Sequence, residues 1–133
     1  MGYVSEFIMK LTYQIKHFSL EEIACPCCGL MNIHPMTIKK LDLLRDALGH
    51  SIWINSACRC EIHNAEVGGK KNSTHICTSE KYSHAFDLRI KSDADRFQIA
   101  RKAMALGFHR IGVYKTFIHI DDDITKRPAL WVG

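Results

Sequence analysis

Two short apolar stretches each carry one polar residue able to hold a metal: Asp87 within Ala85-Phe86-Asp87-Leu88-Arg89-Ile90, and His119 within Phe117-Ile118-His119-Ile120-Asp121. Both alternate at the period of a half-buried strand, where a carboxylate is costly unless something compensates its charge. A divalent metal would do so. Zinc in catalytic sites takes three protein ligands from His, Asp, Glu or Cys and keeps a fourth position open. His75, Asp87 and His119 supply one such set, 12 residues apart and then 32. The chain contains eight histidines, so residue types alone permit other combinations.

The elements that must position these residues read as α+β, with helices before and between the strands of a small antiparallel sheet. All 133 residues suit one domain. Ser19-Leu20-Glu21-Glu22 has the spacing of a capping box and opens a short helix. Ile38, Leu41, Leu44 and Leu48 recur at helical spacing, and Gly49 is a natural stop. Ile52-Trp53-Ile54 reads as a strand, and Glu61 to Val67 as another short helix before Gly68-Gly69. Phe86, Leu88 and Ile90 share one strand face, Asp87 and Arg89 the other. Ser92, with Asp93 and Asp95, starts a helix lined by Phe97, Ala100 and Met104 and ended by Gly107. Arg110–Tyr114 and Phe117–Asp121 form a closing hairpin, with Phe117, His119 and Asp121 on one face.

Composition narrows the partners. With 47% hydrophobic and 24% charged residues the chain reads as a soluble globular protein. Its formal charge of +4 is mild and scattered, the longest basic run being Lys70-Lys71. A nucleic-acid face is usually denser, so none is expected. No apolar stretch approaches the ~20 residues that span a bilayer, and Met1–Lys10 lacks the pattern of an export signal. A monomer is expected. Without a signal, Cys25, Cys27, Cys28, Cys58, Cys60 and Cys77 are expected as reduced core or loop thiols rather than a disulfide framework. An alternative for Cys25, Cys27 and Cys28 is a structural zinc knuckle completed by His34, although no second Cys-x-x-Cys pair follows. Cys58 or Cys60 beside His63 is a conceivable nucleophile that sequence nearness alone does not establish.

Five motifs in order carry a resemblance. They are Ser56-Ala57-Cys58-Arg59, then Gly68-Gly69 leading through Ser73-Thr74-His75, then Ala85-Phe86-Asp87, then Ile111-Gly112-Val113-Tyr114, and finally His119-Ile120-Asp121. Phe18-Ser19-Leu20-Glu21-Glu22 and the terminal Pro128-Ala129-Leu130-Trp131-Val132-Gly133 extend it over nearly the whole chain. This order resembles the zinc D-alanyl-D-alanine carboxypeptidase and L-alanyl-D-glutamate endopeptidase family, whose fold is shared with the hedgehog signalling domain. The resemblance implies zinc held by His75, Asp87 and His119, Arg59 gripping a substrate carboxylate, and the Ser73 hydroxyl in the substrate groove. It implies hydrolysis in which zinc polarises the scissile carbonyl and lowers the pKa of its water towards ~7. Without it, Arg59 reads as a surface charge and Ser73 as a loop hydroxyl.

The chain also departs from that family. Eleven residues, Ile76 to Phe86, separate His75 from Asp87, a longer interval than in relatives. The extra piece suits a loop on the rim of the site. It also sets His84 three residues before Asp87, as a rival ligand to His75. The stretch before His119, Tyr114-Lys115-Thr116-Phe117-Ile118, lacks the acid or His that many relatives use as a base. Asp121 remains as candidate base, or equally as a carboxylate that orients a ligand. After Asp121 the chain reads Asp122-Asp123-Ile124-Thr125-Lys126-Arg127, where relatives often continue with an Arg-containing turn. Three functions are weighed. The first is a peptidase acting on peptidoglycan stem peptides, released to the wall or carried by a phage. The others are a catalytically silent binding module of the same fold and a zinc-knuckle nucleic-acid binder.

Overall fold

The computed structural model describes residues 14–133; the reading of Met1–Lys10 lies outside them. The elements are α1 (Leu20–Ile23), α2 (Pro35–Leu48), β1 (Ile54–Ser56), α3 (Glu61–Glu66), β2 (Ala85–Arg89), α4 (Asp93–Ala105), β3 (Arg110–Val113), β4 (Phe117–Asp121) and β5 (Ala129–Val132). The fold is α+β, as expected. The five strands form one sheet in the order β1-β2-β4-β3-β5. All pairings are antiparallel except β3 with β5, which is parallel because the chain returns to the edge across the 122–128 loop. No helix among the described residues is long and apolar enough to cross a membrane.

Local chemistry accounts for most boundaries. Ser19 accepts from the Glu22 backbone N–H while the Glu22 carboxylate accepts from the Ser19 N–H, closing the capping box at α1. Gly49, with φ of 74°, takes the left-handed conformation that ends α2. Strand β1 lies two residues later than its sequence suggests: Ile52 is buried, Trp53 is exposed, and an irregularity separates the pairs Ile54–Leu88 and Ser56–Asp87. On α4 the expected stripe is rotated. Ile99 and Ala103 are buried, whereas Phe97 and Met104 are exposed and the Arg101 guanidinium lies over the Phe97 ring.

The core forms between helices and sheet. Phe86 and Leu88 of β2 and Ile118 and Ile120 of β4 join Leu41, Leu44, Ile99 and Phe108 in it. Strand alternation then puts Asp87, His119 and Asp121 on the opposite face, yet all three are buried as well. Both faces of β2 and β4 are therefore covered, one by apolar packing and the other by polar contacts.

The six cysteines are not all reduced: Cys58 and Cys77 form a disulfide, correcting the expectation of free thiols. The parallel bridge between Arg59 and Ile76 brings the two cysteines to a Cα separation of 5.9 Å, within bonding reach. Beyond it the inserted segment is pinned rather than loose. Asn32 donates to the carbonyls of Thr78 and Lys81, and Ile33 pairs with Ser83.

Next to this segment lies a buried polar knot. Asp122 accepts from Thr37 Oγ1 at 2.7 Å and Lys40 Nζ at 3.0 Å, and its Oδ1 lies 3.1 Å from His84 Nδ1. Burial alone would raise the Asp122 carboxyl, but the His84, Thr37 and Lys40 hydrogen bonds push it down to about 2. A carboxyl depressed on folding contributes stability above its ordinary pKa, and this is lost as pH falls through the folded value. Asp122→Asn is therefore expected to cost roughly 2 kcal/mol at neutral pH. The difference from the parent should close between about pH 4 and 2 in urea denaturation.

Candidate metal centre

The site is a row of residues side by side across the sheet. Asp87 of β2 pairs with His119 of β4, His119 with Gly112 of β3, and Gly112 with Trp131 of β5. His75 joins from the loop after α3. Its ring Nδ1 donates to the Ala57 carbonyl at 2.8 Å, which leaves the Nε2 lone pair facing Asp87 and His119.

Three donor atoms converge. His75 Nε2 lies 3.2 Å from Asp87 Oδ1 and 3.3 Å from His119 Nδ1, and His119 Nδ1 lies 3.0 Å from Asp87 Oδ1. Ligands about 2.0–2.1 Å from a tetrahedral zinc sit roughly 3.3–3.4 Å apart, so the spacing and chemistry of this set fit that ion. His84, the sequence-level rival, is elsewhere: it stacks on His34 and contacts Thr37 and Asp122.

The surroundings hold each donor in place. Asp121 is wholly buried, with its Oδ2 2.6 Å from His119 Nε2, on the side of the ring away from the three donors. It also accepts from Arg110 Nε, Thr74 Oγ1 and the Asp123 N–H. Burial opposes a charge on His119, but the Asp121 and Asp87 hydrogen bonds prevail and raise its pKa. His75 is lowered by burial despite Asp87. Burial would raise the Asp87 carboxyl too, yet His75 and His119 hold it well below the usual carboxylate range.

Arg59 lies beside the donors. Its Nε donates to Ser56 Oγ at 2.9 Å, Nη1 to Asn64 Oδ1 at 3.3 Å and Nη2 to Asp87 Oδ2 at 3.3 Å. The Ser-x-x-Arg spacing thus has a local cause, since the serine hydroxyl aims the guanidinium. Asn64, which sequence reasoning did not single out, is buried and also donates to the Lys70 carbonyl. Gly69 makes room for it: a Cβ there would lie 2.1 Å from Asn64 Oδ1. The signal for Asn64 was that glycine, one half of the Gly68-Gly69 pair. Ser73 accepts from the His75 N–H at 3.2 Å, so its hydroxyl shapes the turn that delivers His75.

The far end of the row is aromatic. The Trp131 ring lies 5.3 Å from the His119 ring and beneath the Arg110 guanidinium, and its Nε1 donates to the Tyr114 hydroxyl. A Cβ at position 112 would sit 2.5 Å from the indole, so the glycine lets Trp131 close over this end. Thr74, Arg110 and Trp131 also escaped the sequence reading. Thr74 and Trp131 lay within recognised motifs, but they and Arg110 act through contacts between elements that no local pattern reveals.

Cys58 is in its disulfide, and Cys60 caps α3 with its sulfur accepting the His63 N–H. Neither forms a thiol–imidazole pair with His63. His34 caps α2 and takes no part with Cys25, Cys27 and Cys28.

Among curated proteins none matches the chain. The family described as peptidase M15, zinc-dependent in general, matches residues 16–121. That span runs from before α1 to the end of β4 and contains Arg59, His75, Asp87, His119 and Asp121. With more than three-quarters of its residues inside the match, the chain belongs to the peptidase M15 family.

Proposed function

We propose that the chain is a zinc metallopeptidase, acting as one domain and one protomer, that hydrolyses peptide bonds in peptidoglycan stem peptides. The convergence of His75 Nε2, Asp87 Oδ1 and His119 Nδ1 within 3.3 Å, with the Arg59 guanidinium beside them, carries this reading. These three atoms would hold zinc, which supplies Lewis-acid polarisation of the scissile carbonyl and a water of lowered pKa.

The chain's own residues do the rest. Three of the five Arg59 N–H groups are engaged, leaving two to grip a substrate carboxylate in the bidentate manner to which a guanidinium is suited. This fixes the peptide relative to Asp87 and converts binding into orientation. Asp121 is a positioning residue: by accepting from His119 Nε2 it holds the tautomer whose Nδ1 faces the other donors. Ser73 sets the turn at His75 and is itself half-buried. Asp121→Asn is expected to weaken zinc binding about tenfold while the fold persists, as competition with a chromophoric chelator would show.

One observation favours a second reading, a catalytically silent binding module. Asp121, the carboxylate next along the strand from His119, is fully enclosed and fully partnered, so it is not free to take a proton from a reacting water. Mass-spectrometric analysis of D-alanyl-D-alanine and L-alanyl-D-glutamate stem peptides incubated with zinc-loaded protein decides between them. A fragment that disappears on chelation is expected, and its mass names the bond. Intact peptides alongside stoichiometric zinc would leave the silent module.

A further inference from the structure

A second group of metal-capable side chains lies apart from the first. The sulfur atoms of Cys25, Cys28 and Cys60 lie within 4.8 Å of one another. Cys25 and Cys28 come from one tight turn. In it the Cys25 N–H donates to the Leu30 carbonyl and the Gly29 N–H to the Cys25 carbonyl, both at 2.8 Å, with Gly29 at φ of 77°. The turn supplies the Cys-x-x-Cys-Gly arrangement of one half of a zinc knuckle. The second half was missing from the sequence because it is not a second pair. Cys60 provides it from the start of α3, 32 residues after Cys28.

The backbone is already arranged for thiolates. The Cys60 N–H donates to Cys25 Sγ at 3.3 Å and the His63 N–H to Cys60 Sγ at 3.4 Å. Such N–H groups favour sulfur in its charged, metal-binding form. Thiolates bound about 2.3 Å from a tetrahedral zinc lie about 3.8 Å apart, inside the observed limit. The three sulfurs remain unbonded to one another, while Cys58 and Cys77 nearby are joined.

We propose that Cys25, Cys28 and Cys60 bind one structural Zn2+. Soft sulfur donors select zinc over magnesium or calcium. The ion ties the turn after α1 to residue 60, next to Arg59, and so braces the arginine from outside the reaction site. The Cys58 N–H bond to the Ile23 carbonyl runs between the same two segments. This site shares no donor with His75, Asp87 and His119 and stands whether or not the chain is a peptidase.

Cobalt(II) titration of the whole chain tests it, because only sulfur ligation produces a thiolate-to-cobalt charge-transfer band in the near ultraviolet. A band saturating at one sulfur-bound equivalent is expected. In Cys25→Ser/Cys28→Ser the band should vanish and zinc content should fall from two ions per chain to one. In case that variant fails to fold, zinc in the parent chain should shield Cys25, Cys28 and Cys60 from alkylation until a chelator is added. No band in the parent, alkylation indifferent to zinc, or a Cys25–Cys60 disulfide in the unreduced protein would overturn the proposal. The outcomes separate the two sites: one zinc with the band means that only the cysteine site is real. One zinc without it means that only the histidine–aspartate site is.

Discussion

Replacing His119 by alanine is expected to lower zinc affinity at the histidine–aspartate site by roughly 10²–10³-fold. The figure follows from dividing the apparent binding energy of a four-ligand zinc site, about 10–16 kcal/mol, among its ligands. Peptide hydrolysis should then be undetectable at zinc concentrations that saturate the parent. The substitution also strips Asp121 and Asp87 of a shared partner, since His119 contacts both carboxylates. A stability loss of about 3 kcal/mol is therefore expected, because two buried carboxylates lose a hydrogen-bond partner. Affinity and stability must be read separately, by isothermal titration and by urea denaturation of the metal-free protein. If zinc affinity is unchanged while the fold is weakened, His119 is a structural histidine and the metal lies elsewhere.

His119 and Asp87 were legible because a strand advertises its faces: a polar residue alternating with Phe86 and Leu88, or with Ile118 and Ile120, stands out against apolar neighbours. That the two would pair directly across β2 and β4 was not written in either segment, since register depends on the intervening chain. Asp121 shows a finer limit. It shares the strand face of His119, so sequence permitted both a base and an orienting carboxylate. The ring's rotation, with Nε2 toward Asp121 and Nδ1 toward Asp87, separates the two roles.

Cys58 and Cys77 were misread for a related reason, whereas Cys25, Cys27, Cys28 and Cys60 are free thiols as expected. Cys58 and Cys77 are 19 residues apart and meet only because Arg59 bridges Ile76. Cys60 reaches Cys25 and Cys28 only because α3 begins against the turn that carries them. Phe97 and Met104 failed differently. They satisfy helical spacing, but Ile99 and Ala103 face the core instead, and the α4 pattern contains enough apolar residues for either stripe.

Arg59→Ala is expected to lower kcat/KM roughly 10²–10⁴-fold on peptides with a free α-carboxylate, because two charge-assisted hydrogen bonds are lost at ~1.5–3 kcal/mol each. Arg59→Lys should recover little. A single ammonium cannot span Ser56, Asn64 and Asp87 and still present a planar pair of donors to the substrate. The loss has two possible routes, since Arg59 also donates to Asp87, a proposed metal ligand. Amidating the substrate terminus separates them through a double-mutant cycle in which the second change is chemical. If Arg59 grips the carboxylate, parent and Arg59→Ala should cleave the amidated peptide at nearly the same reduced rate. Equal losses on both peptides, with weaker zinc binding, would show instead that the guanidinium acts by steadying Asp87.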